Sequence, residues 1–346
     1  MVKNEVMRSY FFTVAILFHT TATLFAQNVS GISITELTNR LRVEIGGKLF
    51  TEYFFKDVPR PFCYPLIGPG NAALTRNYPM KDVAGEDQDH PHHRSLWFTH
   101  GSVDGVDFWS ESPKAGKIVH EKFLVIKARE KEAVIKSRNK WVDTNGVMVC
   151  KDERVLRIHG GDGATRLVDF EITLKALKKK DLVLGDTKEG LMAVRVAKSM
   201  QLAKGDGHIV MSTGVRDAET WGKRAAWCDY HGPVDGNVVG VAIFDHPKNP
   251  RHPTWWHVRD YGLFAANPFG VHDFEKKPAG EGNLSVPAGK SVTFLYRLVL
   301  HEGDDKQAGL ANLYEKFAKE QPTFARLLNP KLSFNFWCRT TRSRQR

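Results

Sequence analysis

"LVDFEITLKAL", residues 167–177, alternates apolar and polar side chains with a period of two. Val168, Phe170, Ile172, Leu174 and Ala176 fall on one face and Asp169, Glu171, Thr173 and Lys175 on the other, as in a half-buried strand. "SVTFLYRLVLHEG" (291–303) repeats the pattern with Val292, Phe294, Tyr296, Leu298 and Leu300, directly after the turn "VPAGK" (286–290). Outward from these two, "GISITEL" (31–37), "RVEI" (42–45), "KLFTEYFF" (48–55), "KEAVIKSRNKWV" (131–142), "LMAVRVAKSM" (191–200) and "VVGVAIFDH" (238–246) also read as strands. Turns rich in Gly, Asn and Asp separate them, with no regular alternation of strand and helix. The pattern predicts an all-β fold: a large antiparallel two-sheet sandwich with few short helices. The one clear helix is "DDKQAGLANLYEKFAKE" (304–320), with an Asp cap and Leu310, Leu313, Tyr314 and Phe317 at helical spacing.

The chain has 346 residues, of which 42% are hydrophobic, enough to bury a substantial core. Residues 1–26 read as an export signal: a short basic start, the apolar run "SYFFTVAILFHTTATLFA", then polar sequence, with cleavage expected after Ala26. The run is short and interrupted for a membrane span, and no second candidate follows, so a periplasmic or secreted protein with no membrane attachment after cleavage is expected. The body spans 27–325, and 326–346 reads as a basic, poorly ordered extension. The formal charge of +11 is largely terminal. Arg326, Lys331, Arg339, Arg342, Arg344 and Arg346 contribute six charges and the first 26 residues one more, leaving the body near +4. With no nucleic-acid-binding motif either, nucleic acid is excluded as the main partner. The four cysteines, Cys63, Cys150, Cys228 and Cys338, form no compact metal or disulfide pattern, and Cys63 and Cys228 read as buried thiols.

Chemistry concentrates in four stretches. "DHPHHRSLWFTHGSVDGVDFW" (89–109) holds four histidines, an arginine, three aspartates and two tryptophans. If extended, it points His90 and His92 to one side and His93 to the other. That spacing admits a metal whose third ligand would come from Asp229, His231, His246, His252 or His257, but Pro91 and Arg94 argue against one, and no metal or other cofactor is expected. "AAWCDYHGPVDG" (225–236) supplies Trp227, Asp229 and Tyr230, and "DHPKNPRHPTWWHVRDYGLFAANPFG" (245–270) supplies His252, Trp255, Trp256, His257 and Arg259. Indoles match the C–H faces of sugars, and charged groups match the hydroxyl rim, so the ensemble reads as a carbohydrate cleft. In "LVLGDTKEGLMAVRVAKSM" (182–200), Asp186 and Glu189 end a polar loop at a sheet rim and Arg195 projects from the strand that follows. The expected site pairs Asp186 or Glu189 with one of His90, His92 and His93 as proton donor and acceptor. Arg94, Arg195 and Arg259 hold oxygens, and Trp255 and Trp256 wall the sugar. "HGSVDG" at His100 and "HGPVDG" at His231 are echoes explained by Gly and Asp at tight bends.

These stretches, with "YPLIGPGNAALTRNYPM" (64–80), resemble a bacterial family of unknown function often labelled methane-oxygenase PmoA-like, over residues 30–320. The resemblance carries over no catalytic residues. It does not imply a methane monooxygenase, whose true subunits span the membrane several times. The closing stretch "LSVPAGKSVTFLYRLVLHEG" (284–303) is similar to the last strands of galactose-mutarotase-like supersandwich domains. That similarity implies a β-supersandwich and a setting shared with sugar epimerases, glycosidases and lyases. The expected function is therefore an exported carbohydrate-active enzyme working at a glycosidic or anomeric centre. The alternatives are a non-catalytic glycan-binding module and a metal-dependent enzyme using the histidine cluster.

Overall fold

The computed structural model describes residues 31–161 and 163–321. The expected export segment, the basic extension and Cys338 lie outside the described residues. The strands run in chain order as β1 (Ile32–Glu36), β2 (Arg40–Ile45), β3 (Lys48–Phe54), β4 (Phe62–Tyr64), β5 (Leu96–His100), β6 (Lys117–Ala128), β7 (Glu132–Val142), β8 (Met148–His159) and β9 (Thr165–Lys175). They continue as β10 (Leu182–Leu184), β11 (Gly190–Arg195), β12 (His208–Met211), β13 (Trp227–Val234), β14 (Asn237–Asp245), β15 (Trp255–Val258), β16 (Leu263–Asn267), β17 (Leu284–Val286) and β18 (Ser291–Glu302). Among the described residues, two α-helices, α1 (Val271–Glu275) and α2 (Leu310–Lys319), and three short turns of 3-10 helix accompany the strands.

The strands build two eight-stranded antiparallel sheets, ordered β1-β2-β3-β4-β5-β11-β16-β15 and β12-β13-β14-β18-β9-β8-β7-β6, beside a β10-β17 pair. The expected all-β antiparallel class is the fold observed. β9 and β18 lie side by side in the second sheet, with Val168 opposite Leu298 and Ile172 opposite Phe294. The apolar faces read from their sequences enter the main core, which both sheets line. Each aliphatic or aromatic side chain so buried contributes about 1.5–3 kcal/mol of transfer free energy. Cys63, Cys150 and Cys228 are buried free thiols.

The late helix has the expected apolar stripe but a different start. Gly309, at φ +63°, stands at its N-cap, and the Asp304 carboxylate instead accepts from the backbone N–H groups of Lys306 and Gln307 in the preceding turn. Leu310 and Phe317 are buried and Leu313 and Tyr314 pack partly against Val210, Trp227, Ala242, Phe244 and Val299, on the outer face of the second sheet. The two "VDG" echoes are the same tight turn: Asp104 and Gly105 have φ of 52° and 81°, and Asp235 and Gly236 of 50° and 82°. No described helix is long and apolar enough to cross a membrane.

Candidate active site

The outer face of the first sheet carries the site. Alternation sends Leu96, Phe98, Val194, Phe264, Trp256 and Val258 into the main core and leaves Trp97, Ala193, Arg195, Leu263, Ala265 and His257 on the other side. Register then aligns Trp97, Ala193, Ala265 and His257 in one row across four neighbouring strands. The Trp97, Ala193 and Ala265 side chains of this row are buried in a small apolar cluster with Phe62, Trp109 and Leu263. His257, Trp109 and Leu263 also line a hollow of about 670 Å³. It is lined by His90, His92 and His93, by Gly101, Asp107, Trp109 and Ser110 after β5, by Lys188 and Glu189 before β11, and by His257, Arg259, Tyr261 and Leu263 of the β15–β16 hairpin.

The histidine segment is a turn, contrary to the extended reading. His90 has φ +44° and its carbonyl accepts from the His93 N–H at 3.0 Å, so all three imidazoles reach one hollow instead of two sides of a strand. Tyr261, His90, His93 and Trp97 form a continuous stack, with successive centroid distances of 5.2, 4.8 and 5.3 Å and interplanar angles of 5°, 8° and 19°. His92 meets His93 edge-on at 4.5 Å. Fully buried arginines fix the backbone of the turn. Arg76 donates to the carbonyls of Asp87, Asp89 and His90, and Arg60 to those of His92, Phe108 and Trp109. Arg76 also pairs with the Asp89 carboxylate, which Arg195 Nη2 reaches at 2.9 Å. Burial raises the Asp89 pKa, but Arg195, His90 and Arg76 outweigh it and hold the carboxyl at about 2. Burial, reinforced by Arg60 and His90, lowers His92 to about 4, and burial with His92 and Arg195 drives His93 well below the ordinary imidazole range. Arg195 Nη1 donates to His93 Nδ1 at 3.3 Å, which puts the His93 proton on Nε2. Among the described residues, no three His, Cys, Asp or Glu side chains are grouped to hold a metal ion.

Two groups in the hollow suit proton transfer. Glu189 ends the loop before β11, and its carbonyl accepts from Gly101 N–H at 2.6 Å. Burial raises its pKa, with Asp273 and Asp107 adding to the rise and Lys188, at 3.8 Å, and His90 opposing it. His257 is 3% exposed and donates from Nδ1 to the Lys188 carbonyl at 2.8 Å, which leaves the Nε2 lone pair as its acceptor. Burial lowers it to about 4, so it is neutral at pH 7. The Asp107 carboxylate is committed to its own turn, accepting from the N–H groups of Trp109 and Ser110. Trp109 and Tyr261 also line the hollow, Trp109 almost wholly buried and Tyr261 stacked on His90.

The structure gathers His90, His92, His93, Glu189, His257 and Arg259 from the sequence-predicted set and places Arg195 directly beneath His93. The rest lie elsewhere. Asp186 is a loop anchor whose carboxylate accepts from the N–H groups of His272, Gly280 and Gly282 at 3.0–3.2 Å. Arg94 makes a two-pronged pair with Glu111 at 2.7 and 2.6 Å. Trp256 points to the core face and donates to the Ala225 carbonyl. Trp255 packs beneath Arg224 and donates to Glu275, so neither tryptophan walls the hollow. Trp227 lies under α2, Tyr230 is in the core, and Asp229 is held in the second sheet between His231 at 2.7 Å and His301 at 2.9 Å. His252 pairs with Asp245 at 2.7 Å next to Tyr314. Alternation and register account for the misplacements: the second and third rich stretches feed different sheets. Sequence reading passed over Trp109, Lys188 and Tyr261, although all three sit inside the quoted stretches, and nothing local marked Arg60.

The structure overlaps with a galactose mutarotase related enzyme from Lactobacillus acidophilus, at 12% identity, 78% coverage of this chain, 97% of that one and a TM-score of 0.30. It overlaps also with a GalM/aldose epimerase homologue from C. elegans, at 8% identity, coverages of 79% and 99% and a TM-score of 0.34. A glycoside hydrolase family 97 enzyme from Pseudoalteromonas sp. strain K8, solved with acarbose, gives 11% identity, coverages of 79% and 34% and a TM-score of 0.30. At such scores the chemistry of the site rests on its own residues. No curated protein matches the chain in sequence. One family profile matches residues 40–315, and the chain belongs to that family, the family of unknown function DUF6807.

Proposed function

We propose that this protein is a carbohydrate-active enzyme in which Glu189 and His257 transfer protons at an anomeric or glycosidic centre. The observation that carries this reading is their meeting in one open hollow: a carboxyl with a raised pKa and a neutral imidazole with its Nδ1 proton fixed and its Nε2 lone pair free to accept. Glu189 keeps its proton to higher pH than an ordinary carboxyl and gives it to the ring or glycosidic oxygen. His257 accepts a proton from a hydroxyl or from water. Trp109 and Tyr261 make part of the wall aromatic, and His90, His92 and Arg259 offer polar atoms to the sugar hydroxyls. The export segment read at residues 1–26 supports an extracytoplasmic glycan as the substrate source.

The test is an oligosaccharide panel incubated with the wild type and with Glu189→Gln, products read by mass spectrometry and anomer exchange by NMR. Turnover by the wild type that drops on the order of 10²–10⁴-fold in the variant is expected. Turnover unchanged in Glu189→Gln removes the assignment. Binding without any conversion points instead to a glycan-binding module.

A further inference from the structure

Among the described residues, one cation in the lining of the hollow, Arg259, has no ion-pair partner. Arg76 and Arg195, both fully buried, share the single carboxylate of Asp89, and Arg60, also fully buried, shares Glu111 with Arg94 at 3.3 and 2.6 Å. Each trio holds one more guanidinium than carboxylate, with Asp107 also attracting Arg60 and Glu86 also attracting Arg76. Both trios stand directly behind the imidazoles that line the hollow, through Arg195 to His93 and through Arg60 to the His92 carbonyl. Lys188 has both Asp273 and Glu189 within 4 Å, but Arg259, half-buried in the lining, has no ion-pair partner among the described residues. The Arg259 guanidinium lies instead against aromatic rings, 5.6 Å from the centroid of Tyr261 and 5.9 Å from that of Trp221. These faces orient a planar fork of donors without neutralising it. The Asp107 carboxylate in the same lining is committed to the N–H groups of Trp109 and Ser110.

We propose that the sugar bound in this hollow is acidic, carrying an anionic substituent that pairs with Arg259. This rests on the carbohydrate reading of the same site and narrows it to a substrate class, uronate-containing or sulfated glycans. A guanidinium meets a carboxylate or a sulfate through two parallel N–H···O bonds, the partner that Arg259 lacks among the described residues.

Calorimetric titration of the full chain with uronate-containing oligosaccharides, the same compounds after reduction of the carboxylate to a hydroxymethyl group, and sulfated neutral oligosaccharides tests the proposal. The expected result is binding of an acidic set at least about ten-fold tighter than the neutral set, as fits a charge-assisted pair, with the preference lost in Arg259→Gln. Preference for the uronates assigns a carboxylate, and preference for the sulfated set assigns a sulfate. A wild-type salt series guards against a variant that misfolds: acidic ligands should weaken between about 50 and 500 mM salt while neutral ones hold. Equal affinity for uronates, sulfated and reduced compounds overturns the acidic substrate and leaves the sugar reading standing. A preference that survives in folded Arg259→Gln overturns the role of Arg259. No binding by any set overturns both.

Discussion

At the scale of single residues, burial and hydrogen bonding separate carboxylates that look alike in sequence. Asp186 and Glu189 are three positions apart, yet one is spent on backbone N–H groups and the other faces the hollow. Asp186→Ala should therefore destabilise the fold by roughly 2–3 kcal/mol, because it leaves several N–H groups of the 272–282 loop without their acceptor. Denaturant unfolding measures the loss, and a variant as stable as wild type would contradict the anchor role. Glu189→Gln should instead leave the melting temperature within a few degrees of wild type while activity collapses. The pH profile of turnover has a sign fixed by the two groups. His257 must be neutral to accept a proton, so activity should fall as pH drops through about 4. Glu189 must be protonated to donate, so activity should also fall as pH rises through its elevated pKa.

At the scale of elements, the site depends on a turn held from below and a loop held at close range. Removing Asp89 takes the shared carboxylate from two fully buried guanidiniums, and because Asp89 is itself 38% exposed, Asp89→Ala should cost about 1.5–3 kcal/mol and loosen the histidine turn. Gly101 follows β5 where the chain passes Glu189. A Cβ there would sit 2.6 Å from the Glu189 Cβ and 3.0 Å from its carbonyl oxygen. Gly101→Ala should displace Glu189 and lower turnover at least ten-fold, by the sensitivity of acid–base catalysis to misplacement of about 1 Å. A kinetic comparison with wild type at matched stability checks this, and normal turnover would show that the carboxyl position is not critical.

At the scale of the whole molecule, buried imidazoles set the response to acid. His100 and His257 are held at about 4 by burial, His92 by burial with Arg60, and His93 lower still. An unfolded histidine titrates near 6.5, so between pH 6.5 and 4 the unfolded chain binds more protons and stability should fall as pH falls. His301 opposes this. Burial lowers its pKa, but Asp229 overcomes that and raises it, so its contribution is full below about 6.5 and fades as pH rises through the folded value. With His120 and His246 also lowered by burial, six depressed histidines against one raised predict a net decline in the urea midpoint on acidification. A flat midpoint across this window would mean that the imidazoles are more hydrated than their burial implies.

The alternation of residues 167–177 and 291–303, repeated in strands such as β3, β7 and β14, determined the all-β antiparallel class, because the period of two is a local property of the chain. The stripe of Leu310, Leu313, Tyr314 and Phe317 determined the late helix for the same reason. Composition also marked Glu189, Arg259 and the histidine segment as chemically rich. What the tertiary structure alone decided is which of those groups share a space. Trp97, Ala193 and the Ala265–His257 hairpin pair come from three separate stretches of sequence and align only through register, and one step of alternation sends Trp256 into the core while His257 lines the hollow. Asp229 and Asp186 were equally conspicuous as residues, but strand pairing and backbone hydrogen bonds committed them elsewhere. Pairing register and side-chain direction are long-range outcomes of packing, and a linear sequence states the residues without stating which of them meet.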